Sequence, residues 1–192
     1  LPVNELQGLA RVGAGNHSDY MATGAVSGAL VPDKLLFRVA VYGRSYAGDV
    51  ASVSTPGRAK ANELDDRGGR LKMLAHLSDR TTLDVRFSHL DTKAGAPWYS
   101  VVPPGGSPDE PRAYDGDFPS FAHRVLSDAA VKADMRFDRF TLASVTSFSK
   151  VTSDIDTETD FTPADGTSAE QRLDADHWSQ EVRLTSAGDS AL

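Results

Sequence analysis

Four acidic residues stand at alternate positions, Asp154, Asp156, Glu158 and Asp160, and form the densest set of potential ligand groups in the sequence. Calcium is held by several carboxylate and carbonyl oxygens, so such a run has the right donor type. A period of two, however, sets these carboxylates on one face of an extended strand, and no glycine occupies the sharp-turn position of an EF-hand loop. The expected role is a solvated acidic strand end, and no metal ligand is assigned. His17, His76, His89, His123 and His177 are scattered without ligand spacing. Gly13-Ala14-Gly15-Asn16 lacks the third glycine of a dinucleotide fingerprint, and no helix follows it. Serine, histidine and aspartate all occur, but never around a G-x-S-x-G nucleophile elbow. With no cysteine, thiolate metal sites, thiol nucleophiles and disulfide frameworks are excluded. These residues support neither catalysis nor a cofactor.

The elements that carry them have a period of two. Leu35, Phe37, Val39 and Val41 alternate with Leu36, Arg38, Ala40 and Tyr42, and Arg44 continues the second series. Leu71, Met73, Ala75 and Leu77 alternate with Arg70, Lys72, Leu74 and His76; Leu83, Val85 and Phe87 with Asp84, Arg86 and Ser88. Val131, Ala133, Met135 and Phe137 alternate with Lys132, Asp134, Arg136 and Asp138. Trp178, Val182 and Leu184 oppose Ser179, Glu181, Arg183 and Thr185. Side chains leave a strand on alternate faces, so each segment has one apolar and one charged face. Glu5 to Val12 and Tyr20 to Val31 are weaker strands, and Phe140 to Ile155 changes phase partway, which predicts a bulge. No helical stripe with caps is present, and the chain reads as about eight strands. A net charge of −7 without a basic block excludes a nucleic-acid partner.

The links separate two kinds of all-β protein. Val31-Pro32-Asp33-Lys34, Ser78-Asp79-Arg80 and Asp138-Arg139 are tight turns. Tyr46 to Gly68, Asp91 to Ser127 and Asp156 to Asp176 are long and rich in Gly, Pro, Ser and Asp. After a middling first link at Gly13 to Asp19, short and long alternate strictly. A compact domain rarely carries several long loops, whereas an outer-membrane barrel has short periplasmic turns and long outer loops. Longest apolar runs such as Ala25 to Val31 fall far short of a membrane helix, but a spanning strand needs only roughly 9–11 residues, half of them polar. In that reading the apolar faces meet lipid, where an Arg or Lys costs about 2–4 kcal/mol at the midplane. None of the five clear strands puts Lys or Arg there; His89 is an exception in kind, near a strand end. Leu1-Pro2-Val3 carries neither initiator Met nor signal peptide, and the chain stops at Ala191-Leu192 just past a turn-like Ser186-Ala187-Gly188-Asp189, so both ends read as cut.

Particular blocks resemble barrel segments of TonB-dependent receptors, in the style of sphingomonad and related proteobacterial members. Gly24-Ala25-Val26-Ser27-Gly28-Ala29-Leu30-Val31-Pro32-Asp33-Lys34-Leu35-Leu36-Phe37-Arg38-Val39-Ala40 is similar to the family's second strand, first periplasmic turn and third strand. Gly68-Gly69-Arg70-Leu71-Lys72 resembles the start of the next downward strand. His177-Trp178-Ser179-Gln180-Glu181-Val182-Arg183-Leu184-Thr185-Ser186 matches the family's "S-Q-E-x-R-L" block. The resemblance implies an antiparallel transmembrane barrel of 22 strands, of which residues 1–192 are a partial wall, in the outer membrane of a Gram-negative bacterium. It implies a plug domain, placed before Leu1, and an inner-membrane TonB energising complex acting through a TonB box. The cargo it implies is a siderophore-iron chelate or another scarce nutrient.

Within that frame Trp98 and Tyr99, in Ala96-Pro97-Trp98-Tyr99-Ser100, are outer-loop aromatics suited to ligand capture or to an interfacial aromatic girdle. Arg38, Arg44, Arg70, Lys72, Arg86, Glu181 and Arg183 are expected to face the lumen. Contact with a plug or an anionic chelate is open to the cations among them, beside plain pairing with Asp84, Glu181 and similar neighbours. Two alternatives remain at this level: a complete small barrel with a structural or adhesive role, and a soluble β-sandwich that hides its apolar faces between two sheets.

Overall fold

A computed structural model describes residues 2–96 and 98–186, which form eight strands and, among the described residues, no helix. The strands are β1 (Gln7–Gly15), β2 (Asp19–Val31), β3 (Leu35–Tyr46), β4 (Leu64–Ser78), β5 (Thr81–Gly95), β6 (Phe121–Arg136), β7 (Phe140–Glu158) and β8 (Ser168–Ser186). They make one antiparallel sheet in the order β1-β2-β3-β4-β5-β6-β7-β8, each strand beside its sequence neighbour. β1 and β8 do not pair, so the sheet is open. Of the turn expected at 186–189, all but Ser186 lies outside the described residues.

The short turns sit where the sequence puts them, and Asp33 adopts the left-handed conformation (φ 59°) that an aspartate tolerates in a tight turn. Asn4 Oδ1 accepts the Asp33 amide at 2.8 Å, and the two side chains are also hydrogen-bonded, which ties the residues before β1 to that turn. The strands run further than expected at the opposite end: β5 reaches Gly95, β6 starts at Phe121 and β8 at Ser168. There apolar and polar residues are mixed on both faces, so the alternation that reveals a strand is absent although the ladder continues.

Register breaks occur at Ala29/Val31 and His76/Ser78, each beside a tight turn. The bulge expected within Phe140 to Ile155 does not exist; β7 pairs without a shift along both neighbours. The phase change has another cause. Phe140, Leu142 and Phe148 share a face, and from Lys150 onward that face becomes polar (Lys150, Thr152, Asp154, Asp156) while Val151 and Ile155 lie on the other.

Cross-strand partners share a face, so the register resolves two surfaces. One carries Val12, Tyr20, Val26, Val39, Val41, Phe87, Val131, Phe148, Trp178, Val182 and Leu184, all exposed large apolar side chains. Trp178 is 64 % exposed and Val182 and Leu184 65 %. The buried apolar residues are Leu36, Ala61, Ala96 and Tyr114, three of which belong to the long links rather than the sheet. Among the described residues no second sheet covers the apolar face, as a β-sandwich built from these strands would require, and β1 and β8 do not pair, so these eight strands do not close on themselves.

Candidate functional site

The polar face gathers residues from four strands. Arg38 and Arg44 on β3, Arg70 and Lys72 on β4, Arg86 on β5, and Glu181 and Arg183 on β8 all occupy the face opposite the apolar rows. Their surroundings differ. Arg44 grips both oxygens of Asp19 at 2.9 and 2.8 Å near the long-loop end. Lys72 Nζ lies 3.0 Å from Asp84 Oδ2, and Arg86 holds both Asp84 oxygens at 3.0 Å. Arg183 pairs with Glu181 on its own strand at 2.6 Å. Among the described residues Arg38 and Arg70 form no ion pair. A shallow depression of about 370 Å³ opens over this region, lined by Arg70, Lys72, Arg86, Ser88 and Asp128.

At the long-loop end, links expected to be structureless are tied into a cap. Ala51 bridges Lys60 antiparallel and Ser52 bridges Tyr114 parallel, with the Tyr114 amide donating to Ala51 O at 2.8 Å and the Val53 amide to Tyr114 O at 3.0 Å. Arg58 joins the Ser120 carbonyl to Glu63, whose Oε1 lies 2.5 Å from Nη2. Thr55 Oγ1 donates to the Gly116 carbonyl at 2.7 Å. Tyr114 is only 2 % exposed, and burial pushes its phenol above the usual range.

Glu158 closes the cap against the end of β7. It is 1 % exposed; its Oε2 accepts the Phe118 amide at 3.0 Å and its own amide donates to Ser120 Oγ at 2.8 Å. Burial raises its carboxyl pKa, the Phe118 amide opposes this, and the nearby Asp160 and Asp117 carboxylates raise it further. Asp160 moves the other way: amides of Thr167 (2.7 Å) and Thr162 (3.1 Å) and the Thr162 hydroxyl (2.9 Å) hold its carboxyl below the ordinary carboxylate value.

The acidic run therefore divides. Asp154 and Asp156 share a face with Arg172, which lies 3.4 Å from the first and 2.6 Å from the second. Glu158 is buried under the 96–120 link, and Asp160 organises its own turn. Among the described residues no three acidic or histidine side chains converge as a metal site. His123 pairs with Asp91 at 2.8 Å, His89 with Ser127 Oγ at 2.9 Å and His76 with Thr82 Oγ1 at 3.4 Å.

Trp98 and Tyr99 lie in the 96–120 link, 40 % and 63 % exposed. The Tyr99 ring meets Phe161 of the 159–167 link edge-on, with centroids 5.2 Å apart. Phe161 holds φ at 54°, an outlier for a bulky side chain, so this contact sits on a strained turn. Sequence reasoning missed Arg58, Tyr114, Ser120 and Glu158 as the framework of the cap. Their contacts join residues about 40 to 60 positions apart in links without periodicity, so no local pattern announces them.

No protein-family model matches the chain, and no curated protein matches it in sequence. Solved structures do match. The ferric yersiniabactin uptake receptor FyuA from Yersinia pestis aligns with 100 % of the chain at a TM-score of 0.76 and 14 % identity. The fold is that of a stretch of TonB-dependent receptor barrel wall. The ferric-catecholate import receptor Fiu from K12 E. coli aligns with 96 % of this barrel-wall segment, with a TM-score of 0.60 and 15 % identity. The segment spans 29 % of the first receptor's length and 28 % of the second's. At such identities the shared property is the path of the backbone, not a cargo. The two matches are uptake and import receptors rather than enzymes.

Proposed function

We propose that this chain is part of the barrel wall of an outer-membrane TonB-dependent receptor of a Gram-negative bacterium, which actively takes up a siderophore-iron chelate or another scarce nutrient. The short turns are then periplasmic and the capped links face outward. The observation that carries the reading is the shape of the uncovered apolar band. Phe87, Ala129, Phe148 and Trp178 stand side by side in one row, and the next row toward the cap is His89, Ser127, Lys150 and Asp176. An aromatic row followed at once by charge is how a lipid-facing surface ends at the headgroups. From Phe140 to Phe148 the band is about 20 Å tall, taking ~3.3 Å per residue and a tilt of ~40°, against an apolar belt of about 25 Å.

The edge of the band is slanted as tilted strands require. Followed through the ladder, the row of Asp176 reaches Gly69 on β4 and Val41 on β3. On β4 the first charge comes two residues further out, at Arg67, and β3 carries none through Ser45, four residues past Val41. Across five strand steps the edge climbs at least four residues; with ~3.3 Å rise and ~4.8 Å spacing this is a slope of about 30° or more. Outer-membrane strands tilt by roughly 35–45°. β6 is the exception, because Val125 keeps its band apolar until His123.

The partners in this reading are outer-membrane lipid on the apolar face, a plug domain within the polar face, the TonB energising complex, and the nutrient at the cap. Trp98 and Tyr99 lie well outside the aromatic row, on the link beyond Gly95, which favours nutrient capture over an interfacial girdle. The test is expression of the complete gene in a Gram-negative host. Recovery in the outer-membrane fraction, heat-modifiable gel mobility and uptake of ferric siderophore that stops when TonB is deleted are the expected results. A protein that stays dissolved without detergent would end the proposal.

A further inference from the structure

Resting on that reading, we propose that the outer flank of the barrel carries a sugar-binding site, which holds the head group of a glycolipid of the outer leaflet. Asp65, Lys93 and His123 are neighbours in one row of the ladder, an even number of residues beyond Phe87. They therefore share the face of the apolar band and lie on the outside of the barrel. The 47–63 link folds over this face: the Ala61 carbonyl occupies the space that a side chain at Gly95 would fill, and Ala61 itself is buried. Beside the link is a cavity of about 570 Å³ whose lining includes Arg58, Glu63, Asp65, Lys93, Phe121 and His123.

The lining suits a neutral, hydroxyl-rich ligand. Arg58 and Lys93 are balanced by Glu63 and Asp65, so no net charge draws a simple ion. Arg58 is held by Glu63 at 2.5 Å and His123 by Asp91 at 2.8 Å. Asp65 and Lys93 are direct cross-strand partners, a placement that ordinarily makes an ion pair, yet they form none with each other. Among the described residues Lys93 has no acidic partner at all, and Asp65 has only Arg67 at 3.8 Å. An open carboxylate beside an open ammonium offers an acceptor and a donor, and adjacent hydroxyls use both, since each can donate and accept. Phe121, 38 % exposed in the next row outward, adds a ring face on which the C–H side of a sugar can pack.

The site lies above lipid rather than over the lumen. Lys93 is four residues beyond His89, about 10 Å higher at ~3.3 Å per residue and a tilt of ~40°. Below it on the same face Ala129 stands between Phe87 and Phe148, which leaves a notch between two exposed rings. A glycolipid spans both features, with an acyl chain in the notch and its sugars in the cavity.

The test uses the full-length receptor in neutral detergent, freed of bound lipid and followed by native mass spectrometry. The probes are rough-type lipopolysaccharide, lipid A without core sugars, and the core oligosaccharide released from its lipid. Saturable binding of lipopolysaccharide, about tenfold or more tighter than of either part, is expected. Asp65→Ala, Lys93→Ala and Phe121→Ala should each weaken it about tenfold, the loss of one contact, and leave lipid A binding as it was. All three side chains are exposed, so heat-modifiable mobility and TonB-dependent uptake should be unchanged. Equal binding of lipopolysaccharide and lipid A by a correctly localised, transport-competent receptor overturns this site while leaving the proposed function standing. Core oligosaccharide bound as tightly as lipopolysaccharide overturns the lipid-borne occupant and assigns the cavity to a soluble sugar. Variants that bind lipopolysaccharide like the unmodified receptor overturn the site as well.

Discussion

Phe148 and Trp178 stand opposite each other on β7 and β8, and the next pair outward on the same face is Lys150 and Asp176. Lys150 Nζ lies 3.4 Å from Asp174, diagonal to it, so a facing aromatic pair is followed on the same face by charged side chains. In the proposed function that abrupt change is the border between hydrocarbon and headgroups.

An arginine placed below this border should be costly on one face only. Val131→Arg, in the row of Phe37, Met73 and Val85, is expected to destabilise the receptor by about 2–4 kcal/mol. Ala143→Lys, on the polar face between Asp134 and Arg183, should change stability by less than about 1 kcal/mol. Urea unfolding in lipid vesicles measures both, and equal costs would mean that the faces are not differently solvated.

The cap should loosen as pH rises. Burial holds Glu158 above the ordinary glutamate value, so the closed cap binds its proton more tightly than the open one. Closure is then fully favoured below the ordinary value and is lost as pH climbs through the raised one, with Asp117 and Asp160 adding repulsion to the ionised form. Asp160 works in the opposite sense, losing its contribution as pH falls through its lowered value. Hydrogen exchange at the Phe118 and Glu158 amides between pH 5 and 8 reads this. Exchange in the native protein should rise with pH more steeply than the intrinsic rate does, and Glu158→Gln should abolish that excess.

Gly116 should tolerate no side chain. A Cβ there would collide with the Tyr114 hydroxyl and lie 2.8 Å from Glu158 Oε2. Gly116→Ala is expected to release the 96–120 link without unfolding the barrel. Limited proteolysis of intact cells should then cut within that link, in a protein that keeps its heat-modifiable mobility. Cleavage like that of the unmodified receptor would argue against a packed cap.

Trp98 and Tyr99 should matter for capture and not for assembly. An edge-on aromatic pair adds only about 0.5–1.5 kcal/mol beyond its burial, too little for Tyr99→Ala to unfold the barrel by losing Phe161. Each alanine variant should reach the outer membrane at normal abundance yet raise the half-saturating nutrient concentration about tenfold. Normal uptake by both variants would leave these rings without a role in capture.

Alternation alone determined the middle stretches of the strands of this wall and their two faces, because side-chain direction on a strand is a local, period-two property. It put Arg38, Arg70, Lys72 and Arg86 on one face before any pairing was known. Only the register decided that Arg38, Lys72 and Arg86 are neighbours in a row and that Asp84 serves two of them, since pairing is set between strands and not along one. The phase change in β7 misled for the same reason: locally it looks like an extra residue, and only the unbroken pairing reveals a face that changes from apolar to polar. The cap around Tyr114 and Glu158 was illegible, because its contacts cross tens of residues in links with no periodicity.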